Sequence, residues 1–227
     1  MLGSRNERKR EKKLQRRLEK EGIEKKEKRT KVFGYVLFVA FLVVLGAFMF
    51  KGGTDYEDPN LPRAVLGNVE SSVVVKEFSD LQCPACSSAH PGFKKIIEEY
   101  GDRVRFEFYH YPLRSLHPDA FIAAQGAECA NDQGNFWGFI DLAYGKQQDL
   151  GKKTLIGIAN SLSLDADLFE ACLDSGAKKN DVQDDIVEGN RMNVRGTPSF
   201  FVNDLPLGNW GYNTFKLSLD TALANAN

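Results

Sequence analysis

Four consecutive residues, Cys83-Pro84-Ala85-Cys86, carry the strongest chemical signal in the chain. Two thiols separated by two residues can close a disulfide within one helical turn and reopen it by thiolate exchange. Upstream lies the apolar, β-branched run VVVKEF at residues 73–78, which reads as a strand. Downstream, Cys86, Ala89, Phe93, Ile96, Ile97 and Tyr100 recur at helical spacing. The order strand, CxxC, helix places Cys83 beside the unpaired N–H groups and positive dipole end of a helix, where thiolate is favoured over thiol. Cys83 is expected to be an exposed nucleophile. Cys86, one turn in, is expected to be covered and to resolve the mixed disulfide. Pro84 suits the first helical turn because its missing N–H would be unpaired there in any case.

Other chemistries fit less well. A zinc site needs a second Cys/His pair at ligand spacing. Cys129 and Cys172 stand singly, and His90, His110 and His117 form no HxxxH or CxxH pattern. A purely structural bridge across two residues closes too small a loop to add much stability. His90 precedes Pro91, which is expected to kink or break the helix, and all three histidines read as structural rather than catalytic.

The elements that must position the cysteines follow from periodicity. A second strand, VRFEFY at residues 104–109, comes after Gly101-Asp102, and a strand–helix–strand unit of this length favours a parallel pair with a right-handed crossover. A mainly helical block follows, an insertion of about residues 111–190. One of its faces carries Phe136, Phe139, Ile140 and Ala143; another carries Leu168, Phe169, Cys172 and Leu173. The chain returns to β at residues 199–202 (SFFV), turns at Asn203-Asp204, and forms a short strand around 207–210. A last helix is expected with Asn213 as its cap and Phe215, Leu219, Ala222 and Leu223 as its apolar face. About four strands, in an α/β arrangement, result.

Charge locates the rest. The 227 residues carry a net charge of −1, yet residues 1–31 hold 14 Lys/Arg and 6 Asp/Glu while everything from residue 32 onward is net −9. Between these pieces, residues 32–50 (VFGYVLFVAFLVVLGAFMF) include no charge, and 19 helical residues span roughly 28 Å, the thickness of a bilayer core. The run exceeds a signal-peptide core and no small-x-small cleavage site follows it, so an uncleaved anchor is expected. Basic residues before it place the N-terminus in the cytoplasm and the remainder outside. The expected organisation is a basic tail (1–31), a transmembrane helix (32–50), a polar linker (51–63) and one domain (64–227). The tail's lysines suit anionic lipid headgroups beside the anchor more simply than nucleic acid.

The segments EFSDLQCPACSSAHPGF, VRFEFYHYPL, HPDAFIAAQGAECANDQGNFWGF and VRGTPSFFVN together resemble the DsbA-like thiol:disulfide oxidoreductases. The resemblance covers roughly residues 64–225. It implies a thioredoxin-like fold with a helical insertion, here preceded by one transmembrane helix. It makes Thr197-Pro198 a cis-proline loop that lies against the CxxC and pairs with substrate, and Glu77 a buried acid relaying a proton to the resolving cysteine. Strand alternation alone leaves Glu77 open between buried and solvent-facing. Ala85 stands where strongly oxidising members have His, which implies a milder potential. The substrates implied are cysteines of secreted or membrane proteins, and the partner an integral-membrane, quinone-linked reoxidant. No metal, nucleotide or organic cofactor is indicated.

Two rivals use the same residues differently: a reductase or isomerase, and a non-catalytic thioredoxin-fold binding module or holdase. Outside the cytoplasm disulfides persist. Cys129, on a face with Ile122 and Gly126, and Cys172, beside Phe169 and Leu173, are therefore expected to form a second, structural disulfide inside the insertion.

Overall fold

The computed structural model describes residues 13, 20, 33–42 and 56–226 and divides the chain into two compact units, Met1–Gly53 and Thr54–Asn227. In the first, residues 33–42 are helical with exposed side chains. The other residues of the expected transmembrane helix, the tail apart from Lys13 and Lys20, and residues 51–55 of the expected linker lie outside the described residues. Among the described residues, no helix is long and apolar enough to cross a membrane.

The second unit is built on a sheet of five strands rather than four, in the order β1-β3-β2-β4-β5. The strands are β1 (Val65–Gly67), β2 (Val74–Ser79), β3 (Arg105–His110), β4 (Ser199–Val202) and β5 (Leu205–Pro206). β2 and β3 pair in parallel across the helix α1 (Pro84–Tyr100), and the other pairs are antiparallel. β1 escapes a periodicity reading because it is only three residues long and ends at Gly67, whose φ is +81°. β5 starts two residues earlier than the expected 207–210. Asn203 and Asp204 both adopt positive φ, so they form a two-residue hairpin turn that sends the chain straight back along β4. The final helix, α7 (Tyr212–Ala226), likewise begins before Asn213. Asn209 is the residue whose side chain accepts there, from the Gly211 N–H and the Thr214 hydroxyl.

Alternation along β2 sends Val75, Glu77 and Ser79 to one face. Val75, with Phe106, Phe200 and Val202, packs against α1 (Ala89, Phe93, Ile96, Tyr100) and α7 (Phe215, Leu219). The opposite face buries Phe78 against Val194 and Phe201. Helix α1 continues through Pro91, so the proline does not break it. The proline forfeits roughly 3 kcal/mol, whereas each large side chain that α1 buries returns about 1.5–3 kcal/mol. Phe93, Ile96 and Tyr100 are all at most 2 % exposed, so burial wins.

Between β3 and β4 the helical insertion comprises α2 (Ala120–Asn131), α3 (Phe136–Tyr144), α4 (Lys152–Ser161), α5 (Ala166–Ser175) and α6 (Lys179–Arg191). Its core gathers Phe139, Ile140, Leu155, Ile158 and Phe169. Gly126 permits this packing: a Cβ there would stand 3.0 Å from the Phe139 ring. Cys129 of α2 and Cys172 of α5 are joined in a disulfide with their Cα atoms 5.9 Å apart.

From Tyr56 onward, the stretch expected as linker is packed on the domain. Tyr56 lies against the insertion core and donates to Asp132. Lys178, 3 % exposed, holds Asp58 at 2.6 Å and Asp132 at 2.9 Å. Arg63 donates to the Phe108 carbonyl at 2.7 Å, pairs with the buried Asp185, and lies 3.8 Å over the Tyr109 ring.

The disulfide closes a loop of 43 residues, which the chain-entropy relation values at about 3–4 kcal/mol. Urea unfolding of a Cys129→Ala, Cys172→Ala double variant should show a loss of that size. An unchanged midpoint would mean that packing alone holds α2 to α5.

Candidate active site

Cys83 is the N-cap of α1 (φ −80°, ψ 120°) and Pro84 opens the helix. The loop before it is held at several points. The Cys83 N–H donates to the Asp80 carbonyl at 3.0 Å, and its own carbonyl accepts from Ser87 N–H at 3.2 Å. The Gln147 amide, from the turn after α3, donates to the carbonyls of Leu81 (2.9 Å) and Cys83 (2.8 Å). The buried Asp80 carboxylate accepts from the backbone N–H of Gln82 and of Leu113, each at 2.8 Å, and meets His117 Nδ1 at 2.8 Å. Asp80 thereby ties the strand end to the loop after β3.

The loop before β4 closes the site. Thr197-Pro198 is a cis peptide, and Cys83 Sγ lies 3.5 Å from the Thr197 carbonyl oxygen, to which it can donate only while it is a thiol. The Thr197 hydroxyl is buried without a hydrogen-bond partner. This cover leaves Cys83 only 7 % exposed, so the expectation of an openly exposed nucleophile is corrected: it is a recessed sulfur under a loop. Even so, its thiol is pulled down from 9.0 to about 5. The largest cause is the hydrogen bond from the Cys86 thiol; burial opposes it, and Thr197 and the N–H groups of Cys86 and Ala85 assist.

Cys86 is fully buried, and the Asp80 N–H points at its sulfur (3.5 Å). Burial first, and then donation to Cys83, push its thiol far above the ordinary value. Thus one sulfur is poised as a thiolate and the other as a thiol.

Glu77 lies on the face of β2 beneath α1 and is 1 % exposed, which decides between the two readings of its position. Its direct sheet neighbours are Phe108 and Phe200. Neither carboxyl oxygen has a hydrogen-bond partner. Burial pushes the carboxyl up to about 8, and the nearby Ser79 hydroxyl offsets only part of that. Two residues along the same strand face, Ser79 Oγ is 2.7 Å from Tyr144 Oη, both buried.

The histidines are all engaged. His90 Nε2 meets Asp141 at 2.6 Å, His110 Nε2 meets Glu128 at 3.1 Å, and His117 meets Asp80. Among the described residues, His110, Glu128 and Asp185 bring ligand-type atoms within 4.8 Å of one another. Asp185 is already met there by the Arg63 guanidinium and accepts from the His110 N–H at 2.7 Å, so this cluster has its counter-charge in place.

The structure therefore brings Cys83, Cys86, Thr197, Pro198 and Glu77 to one place, and puts Cys129 and Cys172 elsewhere, in the insertion. Sequence reading missed Asp80, Gln147, Ser79 and Tyr144. Only Ser79 had a local signal, since alternation from Glu77 puts it on the same face.

A family model described as Thioredoxin matches residues 60–220. Among solved structures, oxidised BdbD from Bacillus subtilis is 27 % identical, with a TM-score of 0.65 over 71 % of this chain and 93 % of that one. A thioredoxin-like oxidoreductase from Silicibacter pomeroyi DSS-3 is 25 % identical, with a TM-score of 0.64 over 73 % and 93 %. Among curated proteins, the Na(+)/H(+) antiporter NhaA 1 of Salinispora arenicola is 37 % identical over 139 residues, 61 % of this chain and 21 % of the antiporter. The chain spans 21 % to 29 % of the length of the first such relatives.

Two measurements probe this geometry. The alkylation rate of Cys83 against pH should report a thiolate titrating well below the free value of about 8.5; titration at the free value would remove the physical basis of the site. Glu77 couples stability to pH. Its folded value of about 8 exceeds the ordinary 4.5, so between those limits the unfolded chain sheds a proton that the folded chain keeps, and stability falls as pH rises. At about 1.4 kcal/mol per unit the fall amounts to several kcal/mol. Glu77→Gln should abolish it, whereas parallel losses in both proteins between about pH 5 and 8 would contradict a neutral buried carboxyl.

Proposed function

We propose, from the premise that this chain belongs to the thioredoxin family, that it is a DsbA-like protein thiol:disulfide oxidoreductase working through Cys83 and Cys86. The observation that carries the reading is the free Cys83 sulfur at the start of α1, facing the Thr197 carbonyl beside cis-Pro198. In the oxidised enzyme Cys83 and Cys86 are bonded. A substrate thiolate attacks Cys83, the Cys83–Cys86 bond breaks, and Cys86 leaves and takes up a proton. A second substrate thiolate then attacks the mixed disulfide, and Cys83 departs as the thiolate that its surroundings favour. Thr197 and Pro198 line the edge along which the substrate backbone lies, and Glu77 supplies or accepts the Cys86 proton.

Stabilising the Cys83 thiolate stabilises the reduced protein and so favours donation of the disulfide to substrates. This supports oxidase over reductase or isomerase, with the absence of a histidine at Ala85 implying a milder oxidant. The apolar run at 32–50 and the basic tail support a single-pass anchor with a cytoplasmic N-terminus beside anionic lipid. The domain then faces the oxidising side, acts on cysteines of secreted or membrane proteins, and is reoxidised by a quinone-linked membrane partner.

Cys86→Ala should accumulate covalent complexes with substrate proteins that reductant releases, and Cys83→Ser should form none. If both variants support oxidative refolding as well as the native sequence does, the protein is a binding module. In glutathione buffers, a Cys83–Cys86 potential approaching about −120 mV marks an oxidase and one near about −270 mV a reductase.

A further inference from the structure

The segment that carries Cys83 into α1 is held by one side chain from the insertion. Asp80 to Cys83 closes as a turn, with the Cys83 N–H on the Asp80 carbonyl at 3.0 Å, and the Cys83 carbonyl takes the Ser87 N–H at 3.2 Å. Leu81, itself 1 % exposed, has its carbonyl met by a side-chain amide. Gln147 Nε2 lies 2.9 Å from the Leu81 oxygen and 2.8 Å from the Cys83 oxygen, so both amide hydrogens are spent on one turn. Two oxygens converging on the same nitrogen fix the amide's orientation, because the flipped amide would set Oε1 against both. The clamp is anchored in turn. Gln147 follows α3, and the end of α3 meets α1 at further points: the Tyr144 carbonyl accepts from the Ser87 hydroxyl at 3.4 Å, the Tyr144 and His90 rings are 4.7 Å apart, and Asp141 meets His90 Nε2 and Lys94 Nζ, each at 2.6 Å.

We propose that Gln147 is a positioning residue of the redox pair: by clamping the carbonyls on either side of Gln82 it fixes Cys83 at the helix start with its sulfur turned to the first-turn donors, and so sets how readily the protein gives up its disulfide. The inference rests on the oxidoreductase reading above and adds a residue to it, from the insertion rather than from the thioredoxin core. A thiolate draws its stability from donors that point at the sulfur. Those donors here are the N–H groups of Ala85 and Cys86 and the Cys86 thiol. With both carbonyls held, the chain keeps the N-cap dihedrals that aim the sulfur at them. Gln147 is uncharged, so it acts through this geometry and not by adding a Coulombic attraction. When glutathione reduces the protein at neutral pH, two glutathione thiols become one glutathione disulfide and the Cys83–Cys86 bond takes up the two electrons. Cys86 keeps one of the two protons; the other goes to solvent, and Cys83 remains a thiolate.

The titratable groups about the pair are Cys86 on α1, Glu77 on β2, Asp80 just after it with His117 against it, and Tyr144 on α3. A substitution at 147 removes none of them, so a change in the acidity of Cys83 reports its donors.

The test compares the native sequence with Gln147→Met, which keeps the side chain's length and removes its donors. Two quantities are read on the full chain in detergent: the alkylation rate of Cys83 against pH, and the Cys83–Cys86 equilibrium in glutathione buffers. Gln147→Met should raise the pH at which Cys83 titrates by about one unit, a tenfold loss of thiolate stability. At pH 7 the reduced protein then loses about tenfold against the oxidised one, which is about 30 mV toward more reducing potentials. At pH 5, where Cys83 is half protonated in the native protein, the gap should shrink to about twofold. Gln147→Asn, which keeps the amide but falls short by one methylene, should shift both quantities the same way to a smaller extent. Gln147 is half-buried in a turn, so both variants should fold. If one does not, the other decides, and failure of both would assign Gln147 to the fold and overturn the proposal. Native acidity and potential in a folded variant, or an equal displacement of the potential at both pH values, would also overturn it and leave the oxidoreductase reading intact. A native Cys83–Cys86 pair that never equilibrates with glutathione would end both.

Discussion

A difference in solvation across one turn of helix governs this domain. Cys83 and Cys86 are three residues apart, yet one sulfur sits among N–H groups and the other beneath the helix it belongs to. Chemically identical thiols are driven in opposite directions because Cys86 donates its hydrogen to Cys83, with the N–H groups of the helix start assisting, while the helix body keeps water from Cys86. Holding that contrast requires α1 to be pressed firmly onto the sheet. The row Ala89, Phe93, Ile96 and Tyr100 does so, and its burial explains why a proline at 91 is tolerated.

The remaining architecture keeps the contrast from collapsing. The loop into α1 has no regular partner of its own, so its carbonyls and turns are held by side chains from distant elements, Gln147 above all. The insertion is thus more than a lid over one edge. It supplies the amide that pins the active-site loop, the tyrosine that meets Ser79, and the aromatic packing around Phe108. Its own rigidity comes from a Phe-rich core and from the bridge between α2 and α5. Chemistry in the thioredoxin portion depends on stiffness borrowed from the helices.

Features set by neighbouring residues were legible in the sequence: the strand, the CxxC at a helix start, the parallel crossover, and the Ser199–Val202 strand after Thr197-Pro198. Their signals are periodicity and capping, which are local. Apart from the Cys129–Cys172 bridge and the approach of Thr197 to Cys83, contacts between distant residues were not legible. Gln147 meets Cys83 across 64 positions, Ser79 meets Tyr144 across 65, and Arg63 meets Asp185 across 122. No pattern along the chain marks such pairs. The docking of residues 56–63 escaped for the same reason, since a polar stretch reads as linker until the buried Lys178 and Asp185 that receive it are in view. Glu77 lay between these cases: alternation placed it on a face, and only the packing of α1 revealed that the face is dry.

The two short outer strands limit what the sheet can pair with. β1 is three residues long and ends at Gly67; β5 is two residues long, and one of them, Pro206, has no N–H to offer. A broad, flat sheet edge would template the extended segments of any nascent protein and grow into cross-β aggregates. Here the margins are too brief and too poor in donors to nucleate such growth. On the reading proposed above, extended substrate segments could lie against this domain without adding to its sheet.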